Sequence, residues 1–183
     1  MRKLCYVLGW TALMAVLASC GKQGQTSPPP AQPAEPKAGY LKHALPRLPT
    51  VRLWLGSQEV VSEVARRPAE IQTGMMFRTN MAPGEAMLFV FAVPYKTTFY
   101  MRNTKVPLSC AYIDPDGAIL ELHDLKPLDE RPVEAASARV QYVLETPQGW
   151  FQQHNIGVGA IVRTPHGSLR EFDWAALRPA RAR

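Results

Sequence analysis

The sequence predicts a mainly β chain: a single compact domain, barrel-like or a sandwich, with one or two short helices. Apolar and polar residues alternate with a period of two in several short runs, the clearest being VRLWL at 51–55. Turn signals such as Pro83-Gly84 and Asp114-Pro115-Asp116-Gly117 separate these runs at short intervals, and few segments carry a helical pattern. Short strands so spaced are the mark of small all-β barrels and sandwiches.

Taken in order, Val51, Leu53 and Leu55 alternate with Arg52 and Trp54, and after Gly56 the run EVVSEVA completes a hairpin. In RRPAEIQTGMMFR, Pro68 suits a first helical position and Gly74 a helix end, with Ile71 and Met75 spaced for one face, so one short helix is expected. AMLFVF and TTFYM are the next two strands. PLSCAYI and AILELH flank Asp114-Pro115-Asp116-Gly117, whose order suits a type I turn closed by a left-handed glycine. QYVLE is a strand, PQGWFQQHN a helical turn, and AIVRT the last strand. The domain is therefore placed at residues 50–165, with a basic tail over 166–183.

Ahead of it, the chain begins MRKLCYVLGWTALMAVLASC. Two basic residues, an apolar stretch from Leu4 to Ala18 and small residues before a cysteine make an export signal, too short to span a bilayer. Leu17-Ala18-Ser19-Cys20 resembles the lipobox of bacterial lipoproteins, which implies cleavage before Cys20 and its acylation, giving a signal over 1–19. Gly21 follows where an aspartate would resemble an inner-membrane retention signal, so the periplasmic face of the outer membrane is the favoured address. Residues 21–49, rich in Gln, Pro, Ala, Ser and Gly, read as a tether. Of three cysteines, Cys5 leaves with the signal and Cys20 takes lipid, so Cys110 has no partner for an intrachain disulfide.

The formal charge is +6, yet residues 50–170 hold 12 Lys and Arg against 12 Asp and Glu. The excess sits at the ends, where it suits an anionic bilayer, and no nucleic-acid partner is expected.

The blocks Gly74-Met75-Met76-Phe77-Arg78, Ala86 to Phe91, Phe99-Tyr100-Met101-Arg102-Asn103-Thr104, Asp114 to Gly117, Tyr142 to Glu145, Gly149-Trp150 and Gly157-Val158-Gly159 follow one another. In this order they resemble the domain of unknown function 192 family over about residues 50–165. The resemblance implies a compact, mainly β domain, often exported and sometimes lipid-anchored, with no established reaction. Its polar motif positions fall here on Arg78, Asn103 and Thr104. Ser109 and Ala160 stand where the family usually has aspartate, so a mechanism needing those carboxylates would require substitutes.

Asn103 and Thr104 are common turn residues, and a turn is their simplest role. Alternatively, Arg78, Asn103 and Thr104 converge on a pocket for a small anion. Arginine would offer a fork for carboxylate or phosphate, and Tyr100 or Trp54 an apolar wall. A nucleophile is harder to build. Counting back from a three-residue loop, Asp114 faces Ala118, Cys110 faces Leu122 and Ser109 faces His123, which puts Cys110 and His123 on opposite faces. Cys110 then reads as a buried small hydrophobe, and Ser109 with His123 is the remaining catalytic pair, without a nucleophile elbow around the serine. His43, His123, His154 and His166 are scattered, so no metal site and no cofactor are expected. The expected function is a membrane-anchored, noncatalytic binding or accessory module with a small anionic ligand. Its alternatives are a hydrolase of an envelope component or a structural partner of another envelope protein.

Overall fold

The computed structural model describes residues 39–177. The predicted signal, Cys20 and most of the tether lie outside the described residues. The elements are β1 (Thr50–Leu55), β2 (Gln58–Ala65), α1 (Pro68–Thr73), β3 (Glu85–Tyr95), β4 (Thr98–Phe99), β5 (Leu108–Ile113), β6 (Ile119–Leu125), β7 (Val133–Glu134), β8 (Val140–Pro147), α2 (Trp150–Gln153), β9 (Val162–Thr164) and β10 (Gly167–Ser168), followed by a 3-10 turn at Trp174–Ala176.

Eight strands form one mixed sheet in the order β10-β9-β1-β2-β3-β8-β5-β6, while β4 and β7 pair separately. β1 and β2 make the expected hairpin, with Gly56 in the left-handed region at φ 62°. β2 and β3 then run parallel, which requires a crossover, and α1 supplies it. Pro68 opens α1 and Gly74, φ 46°, closes it, as expected. The far edges of the sheet meet at an Ala118–Ile161 bridge, supported by Ile119 N–H to Ala160 O at 2.9 Å and Val162 N–H to Gly117 O at 2.8 Å. The sheet thereby curls into a barrel-like form and shields its edges. Gly117 is required at this closure: its φ is 88°, and a Cβ there would stand 2.7 Å from Val162 O.

The period of two sorts the strands into two cores. Leu53, Leu55, Leu88, Ala111, Ile113 and Leu144 fill the barrel interior, plugged by Trp150 and Phe151 of α2. Met87, Phe89, Leu108, Cys110, Tyr112 and Val143 face outward under a second layer that includes Leu45, Leu48, Met75, Met101 and Val106. Each large side chain fully buried in this way contributes about 1.5–3 kcal/mol of transfer free energy.

Packing continues past both compositional boundaries. Leu45 and Leu48, assigned to the tether, are buried, and Leu48 N–H donates to Glu63 Oε2 at 2.7 Å. Leu169, assigned to the tail, is also fully buried, while Phe172, Trp174 and Leu177 pack on the inner core. These leucines and aromatics are too sparse to make a periodic pattern, but the existing sheet offers them apolar surface.

One register differs from expectation. The β5–β6 hairpin starts as predicted, with Asp114 N–H donating to Ala118 O and Ile113 opposite Ile119, but the next pair is Tyr112 with Glu121. Leu120 is an extra residue, a β-bulge that inverts the facing of everything beyond it. Ser109 therefore faces Asp124, and Cys110 faces His123 on the same side of the sheet.

Candidate functional site

The registers align one residue from each of five strands into a row on the outer face: Glu63, Met87, Glu145, Cys110 and His123. Arg78, delivered by the loop after α1, reaches the Glu63 end of this row. Its Nη1 donates to Glu63 Oε1 at 2.6 Å and its Nη2 to Glu63 Oε2 at 2.9 Å, a bidentate fork. Glu63 also accepts from Leu48 N–H and, at 3.1 Å, from Arg47 Nη1, while Arg47 Nη2 reaches Glu85 at 2.9 Å. Burial pushes the Glu63 carboxyl up, but the Arg78 and Leu48 hydrogen bonds and both guanidinium charges outweigh it and hold the group below its ordinary value.

Glu145 contrasts with it. It is buried in the central strand β8, and desolvation drives its carboxyl up to about 8 against the opposing charge of Arg78, so at neutral pH it is largely protonated. Glu145 Oε2 and Arg78 Nε are buried polar atoms without a hydrogen-bond partner among the described residues. Cys110, directly beside Glu145, is fully buried, and desolvation followed by the nearby carboxylates raises its thiol well above the usual range. Cys110 is thus a weak nucleophile even though His123 stands opposite it. His123 instead meets Glu121, Nε2 to Oε2 at 3.1 Å, and packs against Tyr112 with ring centroids 5.1 Å apart.

Ser109 belongs to the other face. Its hydroxyl donates to Asp124 Oδ1 and accepts from Gly149 N–H at 2.9 Å. The structure does not bring Ser109 and His123 together, because the bulge at Leu120 separates them across the sheet. Nor do three His, Cys, Asp or Glu side chains converge as a metal cage among the described residues.

Arg102 and Asn103 form the centre of a turn in which Thr104 N–H donates to Met101 O at 3.1 Å. Asn103 takes φ 54°, and its carbonyl accepts from Phe77 N–H at 2.8 Å. Thr104 is buried, its hydroxyl bonded to Arg102 O and its carbonyl to Leu128 N–H. Phe77 (φ 64°) and Leu128 (φ 59°) are also left-handed, so three of the four non-glycine residues with positive φ among the described residues meet in this loop cluster. For Phe and Leu the conformation costs roughly 1–2 kcal/mol each. Around the turn, Tyr100 and Leu128 are exposed, 38% and 58%, and Arg102 lies 5.2 Å from the Tyr100 ring while chelating Glu130. The Asn103 side chain has no partner among the described residues. Arg78 follows Phe77 and so borders the cluster, but Glu63 occupies its fork. Trp54, on β1 opposite Glu59 and Arg163, lies on strands outside this cluster.

Sequence reasoning passed over Glu63, Asp124 and Glu145. The one readable signal was Glu145 in YVLET, a carboxyl sharing its face with Val143 in a strand otherwise without charge.

Two crystal structures resemble the fold. A candidate transcription regulator from Sinorhizobium meliloti 1021 is 29% identical with a TM-score of 0.60, covering 69% of this chain and 98% of that one. A protein of unknown function from Novosphingobium aromaticivorans DSM 12444 is 32% identical with a TM-score of 0.61, covering 72% of this chain and 97% of that one. No curated protein matches. The model of the DUF192 family, described as an uncharacterized ACR, matches residues 51–164, and with those blocks in place on a single barrel-like sheet the chain belongs to that family.

Proposed function

We propose that this chain is a lipid-anchored accessory module of the bacterial envelope, attached through acylated Cys20 on the periplasmic face of the outer membrane, which binds an envelope partner without catalysing a reaction on it. The contact surface is the cluster of Phe77, Tyr100, Asn103 and Leu128. The observation that carries this reading is the concentration of left-handed non-glycine residues there. Such backbone persists only where its surroundings enforce it, and it gathers at binding sites. Arg78 braces the cluster from behind by its bidentate pair with Glu63, which argues against a small anion at that fork, since the ligand would have to displace a buried carboxylate. The Ser109 pairing with Asp124 argues against the hydrolase reading. The balanced charge of residues 50–170 argues against a nucleic-acid partner of the kind that the description of the Sinorhizobium protein would require.

The test has two arms in cells producing the full chain. Labelled fatty acid should mark the wild type and not Cys20→Ser, which should leave the membrane fraction or remain uncleaved. A photocrosslinking residue at 103 should give a discrete adduct absent when the same residue replaces exposed Val158. Label on Cys20→Ser would defeat the anchor, and identical adduct patterns from 103 and 158 would defeat the contact surface.

A further inference from the structure

A groove of about 160 Å³ opens between the strap at Pro46–Pro49, the end of β2 and the start of α1. Arg47, Arg66 and Arg67 line it with Glu70, and Leu48 and Leu177 supply apolar wall. The charges in it are unequally engaged. Arg47 is held in place by Glu63 and Glu85. Arg67 Nε lies 3.8 Å from Glu70 Oε1, a loose contact. The Arg66 guanidinium has no partner among the described residues, and the residue is partly buried. Glu70 Oε2 is already occupied by the N–H groups of Arg66 and Arg67, each at 3.0 Å, so the groove rests on side-chain cations and not on the short helix α1.

We infer that this groove binds a phosphodiester monoanion carrying an apolar substituent. Arg47 and Arg78 are balanced by Glu63 and Glu85, so the local surplus is that of Arg66 and Arg67 over Glu70, which suits one negative charge better than two. Guanidinium groups match phosphate oxygens in bidentate fashion. The volume is below the roughly 300 Å³ at which pockets begin to enclose drug-sized molecules, so the occupant places a head group inside and leaves the remainder outside. Leu48 and Leu177 give an apolar part a surface that an inorganic ion could not use. A soluble phosphodiester and a bilayer phosphatidylglycerol share this chemistry. The groove uses none of the four residues assigned to the partner surface, so it stands or falls separately.

Calorimetric titration of the full chain tests it with four probes: dihexanoylphosphatidylglycerol below its micellar concentration, glycerophosphoglycerol, hexanoate and inorganic phosphate. The short-chain lipid should bind most tightly. Arg66→Ala should weaken it about tenfold, the loss expected for one charge-assisted hydrogen bond, with an unchanged thermal midpoint. Arg67→Glu, at an exposed position, should weaken it at least as much and serves if Arg66→Ala folds poorly. Flotation with phosphatidylglycerol vesicles but not phosphatidylcholine vesicles would assign the bilayer as the source, and binding of the short-chain lipid without flotation a soluble one, while glycerophosphoglycerol binding as tightly as the short-chain lipid would remove the apolar part from the assignment. No binding at millimolar probe, equal binding of hexanoate or inorganic phosphate, or affinity indifferent to both arginine substitutions would each overturn the assignment.

Discussion

Replacing Glu145 by Gln should remove most of the pH dependence of stability between pH 5 and 8. In the folded chain the Glu145 carboxyl is pushed up to about 8 by burial, against an ordinary value of 4.5. Across that interval the unfolded chain releases a proton that the folded chain retains. Stability therefore falls as pH rises from about 4.5 and levels off above about 8. The interval corresponds to on the order of 5 kcal/mol, an upper figure that any water reaching Glu145 or local relaxation will reduce. Glutamine has the same shape and cannot ionise. At pH 5 the two proteins should differ by no more than about 1 kcal/mol, the scale of one altered hydrogen-bonding group. At pH 8.5 Glu145→Gln should be the more stable by several kcal/mol. Urea unfolding followed by circular dichroism at half-unit pH intervals measures both curves. Glu63 does not confuse the comparison, because its carboxyl is held below 4.5 and its contribution is lost only as pH falls below that value. Parallel wild-type and Glu145→Gln curves between pH 5 and 8 would show that Glu145 ionises at an ordinary value, and the account of it as a desolvated neutral acid would be refuted.

Arg78→Ala should destabilise the domain by about 2–3 kcal/mol. That is less than the 3–5 kcal/mol of a fully broken buried pair, because Glu63 keeps Arg47 and Leu48 N–H. A change below about 0.5 kcal/mol in urea melts would mean that the fork is not structural. Ser109→Asp should destabilise, since the new carboxylate would face Asp124 on the side of the sheet away from Arg78. The exchange Ser109→Asp with Asp124→Ser should recover most of the loss, and a double-mutant cycle without coupling would contradict the Ser109–Asp124 contact.

Several elements were legible because their causes are local. Val51, Leu53 and Leu55 define a strand face by period alone, Pro68 and Gly74 bracket α1 by backbone constraint, and Asp114 to Gly117 set a turn through Asp114 Oδ1 and a left-handed glycine. Cys110 is buried as expected, but through the face it shares with Leu108 and Tyr112 and not through the expected register, which set it apart from His123. The Asn103 turn was foreseen as well, because asparagine tolerates the left-handed region that this loop uses. What sequence could not supply was everything that depends on which segments meet. The bulge at Leu120 has no composition signal, yet one extra residue exchanged the partners of Ser109 and Cys110. Glu63 shares a strand face with solvent-facing Val61 and Glu59, as a surface residue would, and becomes buried only because the strap at Leu45–Leu48 and Arg78 cover it. The parallel pairing of β2 with β3, and with it the row from Glu63 to His123, required the α1 crossover to be closed in space. Local conformation is set by neighbours in sequence, whereas the burial and protonation of a carboxylate are set by neighbours in space. The tertiary structure alone decided that Glu63 is a charged strut and Glu145 a neutral acid.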